Sequence, residues 1–138
     1  MTEMLAILVA LSSPAERHGI PPALVRSIVW HESRGSDAAR SGCLARGQMQ
    51  VRFSSVCRGC SNRGPAAHFL HLRQVNHFYG TQILSRWLRH ARRKGLQGRQ
   101  ALLAALAGYN GGWQGFRGGS SSRRARGYAR RVLQRARL

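Results

Sequence analysis

Apolar residues recur at helical spacing in four stretches of the chain, and one of those stripes ends on a charge. In "PPALVRSIVWHES", Val25, Ile28 and Val29 fall at i, i+3 and i+4 behind two prolines suited to a helix start. One further step along that stripe lands on Glu32. From Gln74 to Lys94, the residues Val75, Phe78, Tyr79, Ile83, Trp87 and Leu88 keep the same spacing, and Gly95 can end the helix. "GRQALLAALAGYNGG" predicts another helix, with Leu102, Leu103 and Leu106 buried and Tyr109 and Asn110 one turn beyond. A glycine and serine linker, "GWQGFRGGSSS", leads into "RRARGYARRVLQRARL", where Tyr128, Val132 and Leu133 share one side and arginines take the others. The amino-terminal run "MTEMLAILVALSSPA" carries Glu3 and no basic start, so it reads as a first core helix rather than an export signal.

The stretch "RGSDAARSGCLARGQMQVRFSS", from Arg34 to Ser55, holds no sustained period and predicts a long structured loop with one or two short turns or strands. Loops of that length within compact domains are usually functional. Strand signals elsewhere are weak. The expected fold is therefore mainly α: a single domain over residues 1–138 with a long active-site loop, at most a minimal β element, and a basic C-terminal helix at about 122–138. A chain of 138 residues can bury a core without disulfides, and no stretch approaches the length of a membrane span.

Charge changes the picture most. Lys and Arg number 23 against four acids, for a net charge of +19, a field that favours polyanions: nucleic acid, acidic head groups or an anionic envelope. Lys94 is the single lysine, and arginine is the better fork for phosphate and carboxylate, although a solvated surface explains the composition equally well. Cys43, Cys57 and Cys60 make an odd count. Cys57 and Cys60 with His68 and His71 lie too close in sequence for the common zinc-finger spacing. A disulfide from Cys43 to one of the other two is the expectation, with free thiols as the alternative.

The four acids are Glu3, Glu16, Glu32 and Asp37. A carboxylate that continues an apolar stripe is partly desolvated, which raises its pKa toward the range where it holds a proton for delivery to a leaving group. The arginine field acts the other way, but salt screens exposed charges beyond about 8 to 10 Å. The plainer reading is a helix-end glutamate turned to solvent or paired with Arg26 or Arg34.

Glu32-Ser33, "GQMQV" from Gly47 to Val51 and "ALAGYNGG" from Ala105 to Gly112 occur in an order and spacing that resemble the soluble lytic transglycosylases of the lysozyme-like superfamily, related to goose-type lysozyme. The resemblance begins at "RHGIPPALVRSIVWHES", continues through "VNHFYGTQILSRWL" and reaches "GYARRVL". It implies an enzyme that cleaves the β-1,4 bond between N-acetylmuramic acid and N-acetylglucosamine in peptidoglycan. Glu32 would protonate the glycosidic oxygen and then take the proton from the muramic C6 hydroxyl, closing a 1,6-anhydro ring. Ser33 would hydrogen-bond around that carboxylate, Gln48, Met49 and Gln50 would line the cleft, and Tyr109 and Asn110 would position acid and sugar. No metal or organic cofactor is implied. Gln48 stands where the family usually has Leu, Gly108 where it has Ala, and Arg124 where a glutamate commonly precedes the tyrosine that Tyr128 resembles.

Ordinary glycoside hydrolysis uses two carboxylates, and this chain is poor in candidates for the second. Asp37 as a water-activating base would make the enzyme a hydrolytic muramidase instead. A non-catalytic basic module that binds wall or nucleic acid is a further alternative, although no specific nucleic-acid motif is present. The expected partners are peptidoglycan strands and, through the arginines between Arg117 and Arg137, anionic envelope polymers or lipopolysaccharide. The plainer reading of those arginines is a solvated helix face. The expected setting is the bacterial cell wall, reached from the periplasm, from outside or by phage delivery, and the expected state is a monomer.

Overall fold

The computed structural model describes residues 14–17 and 19–138, so all but the last two residues of the core helix expected over residues 1–15 lie outside the described residues. In chain order the helices are α1 (Pro14–Arg17), α2 (Pro22–Ser33), α3 (Phe53–Val56), a 3₁₀ segment (Pro65–His71), α4 (Arg73–Arg93), α5 (Gly98–Arg117), a 3₁₀ turn (Ser120–Ser122) and α6 (Arg123–Ala136). Pro22 sits in the first turn of α2, where a missing N–H costs nothing. Arg34 ends that helix in the left-handed region (φ 56°, ψ 26°), with its N–H returned to the Trp30 carbonyl. The β content of the described residues is two isolated bridges, Arg40 with Arg46 and Arg46 with Val51, which pin the loop after α2. The fold is the expected mainly α one.

Helices α5 and α6 share the most extensive packing, α4 lies against α5, and α2 lies against α6. Leu24 and Ile28 of α2 meet Val132 and Leu133 of α6 in a core that also takes in Leu84, Leu88 and Leu106. Ser27 donates to the Val132 carbonyl at 2.6 Å, so a buried hydroxyl ties α2 to α6 without an orphaned polar group.

Three expectations about the interior are corrected. On α4 the deepest positions include Asn76, Gly80, Thr81 and Ser85, while Val75, Phe78, Tyr79, Ile83 and Trp87 are only partly buried. The small and polar face is tolerated because Thr81 and Ser85 donate to carbonyls of their own helix and Asn76 serves the loop. On α5 the deepest stripe includes Ala101 and Ala105 beside Leu106, with Leu102 and Leu103 partly buried, since alanines let the neighbouring helices approach. The supposed linker after Gly112 is largely helix: the chain kinks at Gly112 (φ 60°, ψ −148°), a conformation open to glycine, and then runs on to Arg117. This brings Trp113 and Phe116 onto Trp87 and His90, with ring centroids 4.7 to 5.3 Å apart for the closest pairs.

A disulfide is present as expected, but its pairing is corrected. Cys57 and Cys60 pair with each other across a tight turn closed by the Cys60 N–H on the Cys57 carbonyl, and Cys43 is free and exposed.

Candidate active site

Glu32 lies in the last turn of α2, partly buried, and its Oε1 accepts a 2.6 Å hydrogen bond from the Tyr128 hydroxyl of α6. Two effects compete at the carboxyl. Burial pushes its pKa up because the anion loses water, and the Tyr128 hydroxyl pulls it down because it solvates the anion. Burial wins, and the net shift is upward. Tyr128 itself is pushed well above its ordinary value by burial and by the nearby carboxylate, so it stays a donor. No arginine perturbs Glu32, which disposes of the pairing with Arg26 or Arg34.

The loop facing Glu32 is held from behind. Ser33 donates to the Gln48 carbonyl at 2.7 Å, and the Gln48 amide donates to the Gly35 carbonyl at 3.0 Å. Gln48 Oε1 faces His77 Nε2 at 2.7 Å; burial lowers the His77 pKa, which favours the neutral ring with Nε2 as donor. The Met49 N–H donates to Asn76 Oδ1 at 2.7 Å, and the Asn76 amide donates to the carbonyls of Arg46 and Leu70 at 2.7 and 2.8 Å. From the other side, Tyr109 of α5 donates to the Met49 carbonyl at 2.6 Å. Gln50, in the left-handed region at φ 51°, donates its side-chain amide to the Gly47 and Ala39 carbonyls.

A cleft of about 670 Å³ opens above this arrangement, lined by Glu32, Gln50, Ile83, Trp87, Tyr109 and Asn110 among others. The residues named from the sequence thus divide into two sets. Glu32, Gln50, Tyr109 and Asn110 reach the cleft surface, and Ser33 fastens the loop to α2. Met49 is fully buried and Gln48 nearly so, which corrects the expectation that they line the cleft: they form the wall behind it. Asp37 is not among the lining residues; it pairs with Arg73 at 2.9 Å, which holds its carboxyl below the ordinary range.

Sequence reasoning missed Asn76, Trp87, Arg52 and Arg124 as parts of this region and gave Tyr128 no contact with Glu32. Tyr128 stands 96 residues from its partner, so no local pattern could reveal the bond. Trp87 had a signal in Gly108: a Cβ there would come within 2.6 Å of the indole, so glycine lets the ring lie flat on α5. Among the described residues no group of three or more His, Cys, Asp and Glu side chains could hold a metal ion, and no helix is long and apolar enough to cross a membrane.

A helical fold with a partly buried glutamate lining an open cleft fits the lysozyme-like class. The family model for the transglycosylase SLT domain matches residues 10–130, and the chain belongs to that family. The family's lytic transglycosylase activity is on cell-wall peptidoglycan. No curated protein and no solved structure matches the chain.

Proposed function

We propose that the protein cleaves the N-acetylmuramic acid–β-1,4–N-acetylglucosamine bond with Glu32 as its single acid and base, leaving a 1,6-anhydro-muramoyl end. One observation carries this reading: among the described residues Glu32 is the one acid lining the cleft, and burial favours its protonated form. With Oε1 engaged by Tyr128, Oε2 is the oxygen left to carry the proton. That proton passes to the glycosidic oxygen as the C1–O bond breaks. The carboxylate so formed is stabilised by the Tyr128 hydroxyl, a charge-assisted bond that strengthens as charge develops. It then removes the proton from the muramoyl C6 hydroxyl while O6 bonds to C1, and Glu32 returns to its starting state without consuming water. Hydrolysis would need a base to activate water, and Asp37 is engaged by Arg73 outside the cleft. Gln50, Tyr109 and Asn110 are the cleft residues proposed to contact sugar and N-acetyl groups.

Digestion of purified sacculi with wild type and Glu32→Gln, followed by mass spectrometry, tests the reading. Anhydro-muropeptides that vanish in the variant are expected. Products with reducing ends would replace it with hydrolysis, and undiminished cleavage by Glu32→Gln would remove Glu32 from the chemistry.

The arginine surface supports a second proposal, retention on anionic envelope polymers. The apolar face of α6 is used up in the core, so the helix presents charge rather than an inserting face. Arg34 and Arg135 lie against the Trp30 ring at 4.3 and 4.0 Å, and Arg26 and Arg137 complete an open concavity of about 570 Å³. Sacculus binding by Glu32→Gln should weaken steeply with salt and fall further in Arg135→Ala. Binding indifferent to both changes would refute this retention.

A further inference from the structure

Two arginines line the cleft that holds Glu32: Arg52, just before α3, and Arg124, in the first turn of α6. Both side chains are exposed, and among the described residues no hydrogen bond or ion pair engages either guanidinium. Their charge is not spent on Glu32 either, whose environment is set by burial and Tyr128. Arg124 precedes Tyr128 by four residues on the same helix, so its backbone stands about 6 Å along the axis from that of the residue whose phenol holds the acid. The cleft therefore presents two unneutralised guanidiniums along with its acid, and among the described residues that line it there is no second carboxylate to answer them.

Such a pair suits a planar carboxylate, which a guanidinium grips through two parallel N–H bonds. On a peptidoglycan strand the carboxylates belong to the peptide carried by the muramoyl residue or, where the peptide is absent, to the lactyl group. The glycan backbone itself is neutral, and the lactyl group is an amide wherever a peptide is attached. We propose that Arg124 and Arg52 form a carboxylate site that reads a free carboxylate of the muramoyl-linked peptide and so selects peptide-bearing, unamidated strands. This rests on the reading of the cleft as peptidoglycan-cleaving.

The test compares soluble glycan strands in three forms: peptides with free carboxylates, the same peptides amidated, and strands stripped of peptide. KM and kcat are measured for wild type, Arg124→Ala, Arg124→Glu, Arg52→Ala and, as a control on an exposed arginine of α4, Arg92→Ala. Binding constants are measured in each background with Glu32→Gln added. For wild type, amidation should raise KM about 10-fold with little change in kcat, the size expected for one charge-assisted pair. Arg124→Ala should raise KM on free-carboxylate strands by a similar factor and erase the discrimination, Arg52→Ala should do so in part, and Arg124→Glu should invert it. Stripped strands bound as tightly as peptide-bearing ones would move the site to the lactyl carboxylate and overturn the peptide assignment. An equal loss in Arg92→Ala, or discrimination intact in Arg124→Ala, would overturn the site altogether. The binding arm separates the two readings: no turnover by wild type with Arg124-dependent discrimination intact defeats the cleavage reading and leaves the carboxylate site standing.

Discussion

Asn76 is the residue whose removal should most damage the loop that faces Glu32. Its side chain has no exposed surface and makes three hydrogen bonds to backbone: it accepts from Met49 N–H and donates to the carbonyls of Arg46 and Leu70. In Asn76→Ala the Met49 N–H is left buried without a partner, which costs about 2 kcal/mol. The Arg46 carbonyl keeps its bond from the Val51 N–H, so its loss and that at Leu70 come to about 1 kcal/mol each. The expected total is about 4 kcal/mol, a large share of the roughly 5 to 15 kcal/mol that holds an ordinary domain together. Asn76→Asp sharpens the test, because a carboxylate can still accept from Met49 but turns an acceptor toward two carbonyl oxygens. That variant should be at least as unstable as Asn76→Ala at neutral pH and should recover as the introduced carboxylate is protonated. Urea unfolding followed by tryptophan fluorescence reads both variants, with equal slopes required before midpoints are compared. A loss below about 1 kcal/mol for Asn76→Ala, or wild-type stability for Asn76→Asp at pH 7, would refute the claim that this amide organises the loop.

Tyr128→Phe removes the one interaction that pulls the Glu32 pKa down, so that pKa should rise further and the alkaline limb of the cleavage profile should move to higher pH. With three glutamates in the chain, carboxyl-labelled glutamate NMR can follow Glu32 directly, and Tyr109→Phe, whose hydroxyl serves Met49, should leave its titration in place. The raised native pKa of Glu32 also fixes a sign for stability: as pH rises the unfolded chain gives up this proton first, so the native state loses stability between the ordinary carboxylate value and the raised native one. Glu32→Gln should flatten that fall in thermal midpoints taken from pH 4 to pH 8, and an unchanged slope would contradict the burial argument. Gly108→Ala should cost about 1 to 3 kcal/mol by overpacking against the Trp87 indole and should shift its fluorescence; a variant as stable as wild type would show that the ring yields freely.

Sequence order alone was enough for the helical class and for the ends of α2 and α4, because each depends on local spacing; spacing put Glu32 on an apolar stripe, and the family resemblance singled it out as the candidate acid. Val25, Ile28 and Val29 lead to Glu32 within two helical turns, and Pro22 and Gly95 punctuate the chain by backbone constraints that need no partner. Family resemblance through "GQMQV" and "GYNGG" marked the two segments that meet Glu32 but not what each side chain does there. Hydropathy misread the interior of α4 and α5, since it ranks Leu102 above Ala105 and has no place for a buried Asn76 that is satisfied only by a loop distant in sequence. It also read Gly112 to Ser122 as linker, because a glycine kink and a helix end look alike until Trp113 finds Trp87.

The carboxylate that ends the stripe of "PPALVRSIVWHES" was thus a property of the chain from the start; the upward shift of its pKa was not. That balance is set by the water that packing removes, which pushes the pKa up, and by a phenol 96 residues away, which pulls it part of the way back. Spacing can place a charge on an apolar face, but how costly that charge is depends on the dielectric and the hydrogen-bond partners around it, and those come into being only when α2 and α6 close together.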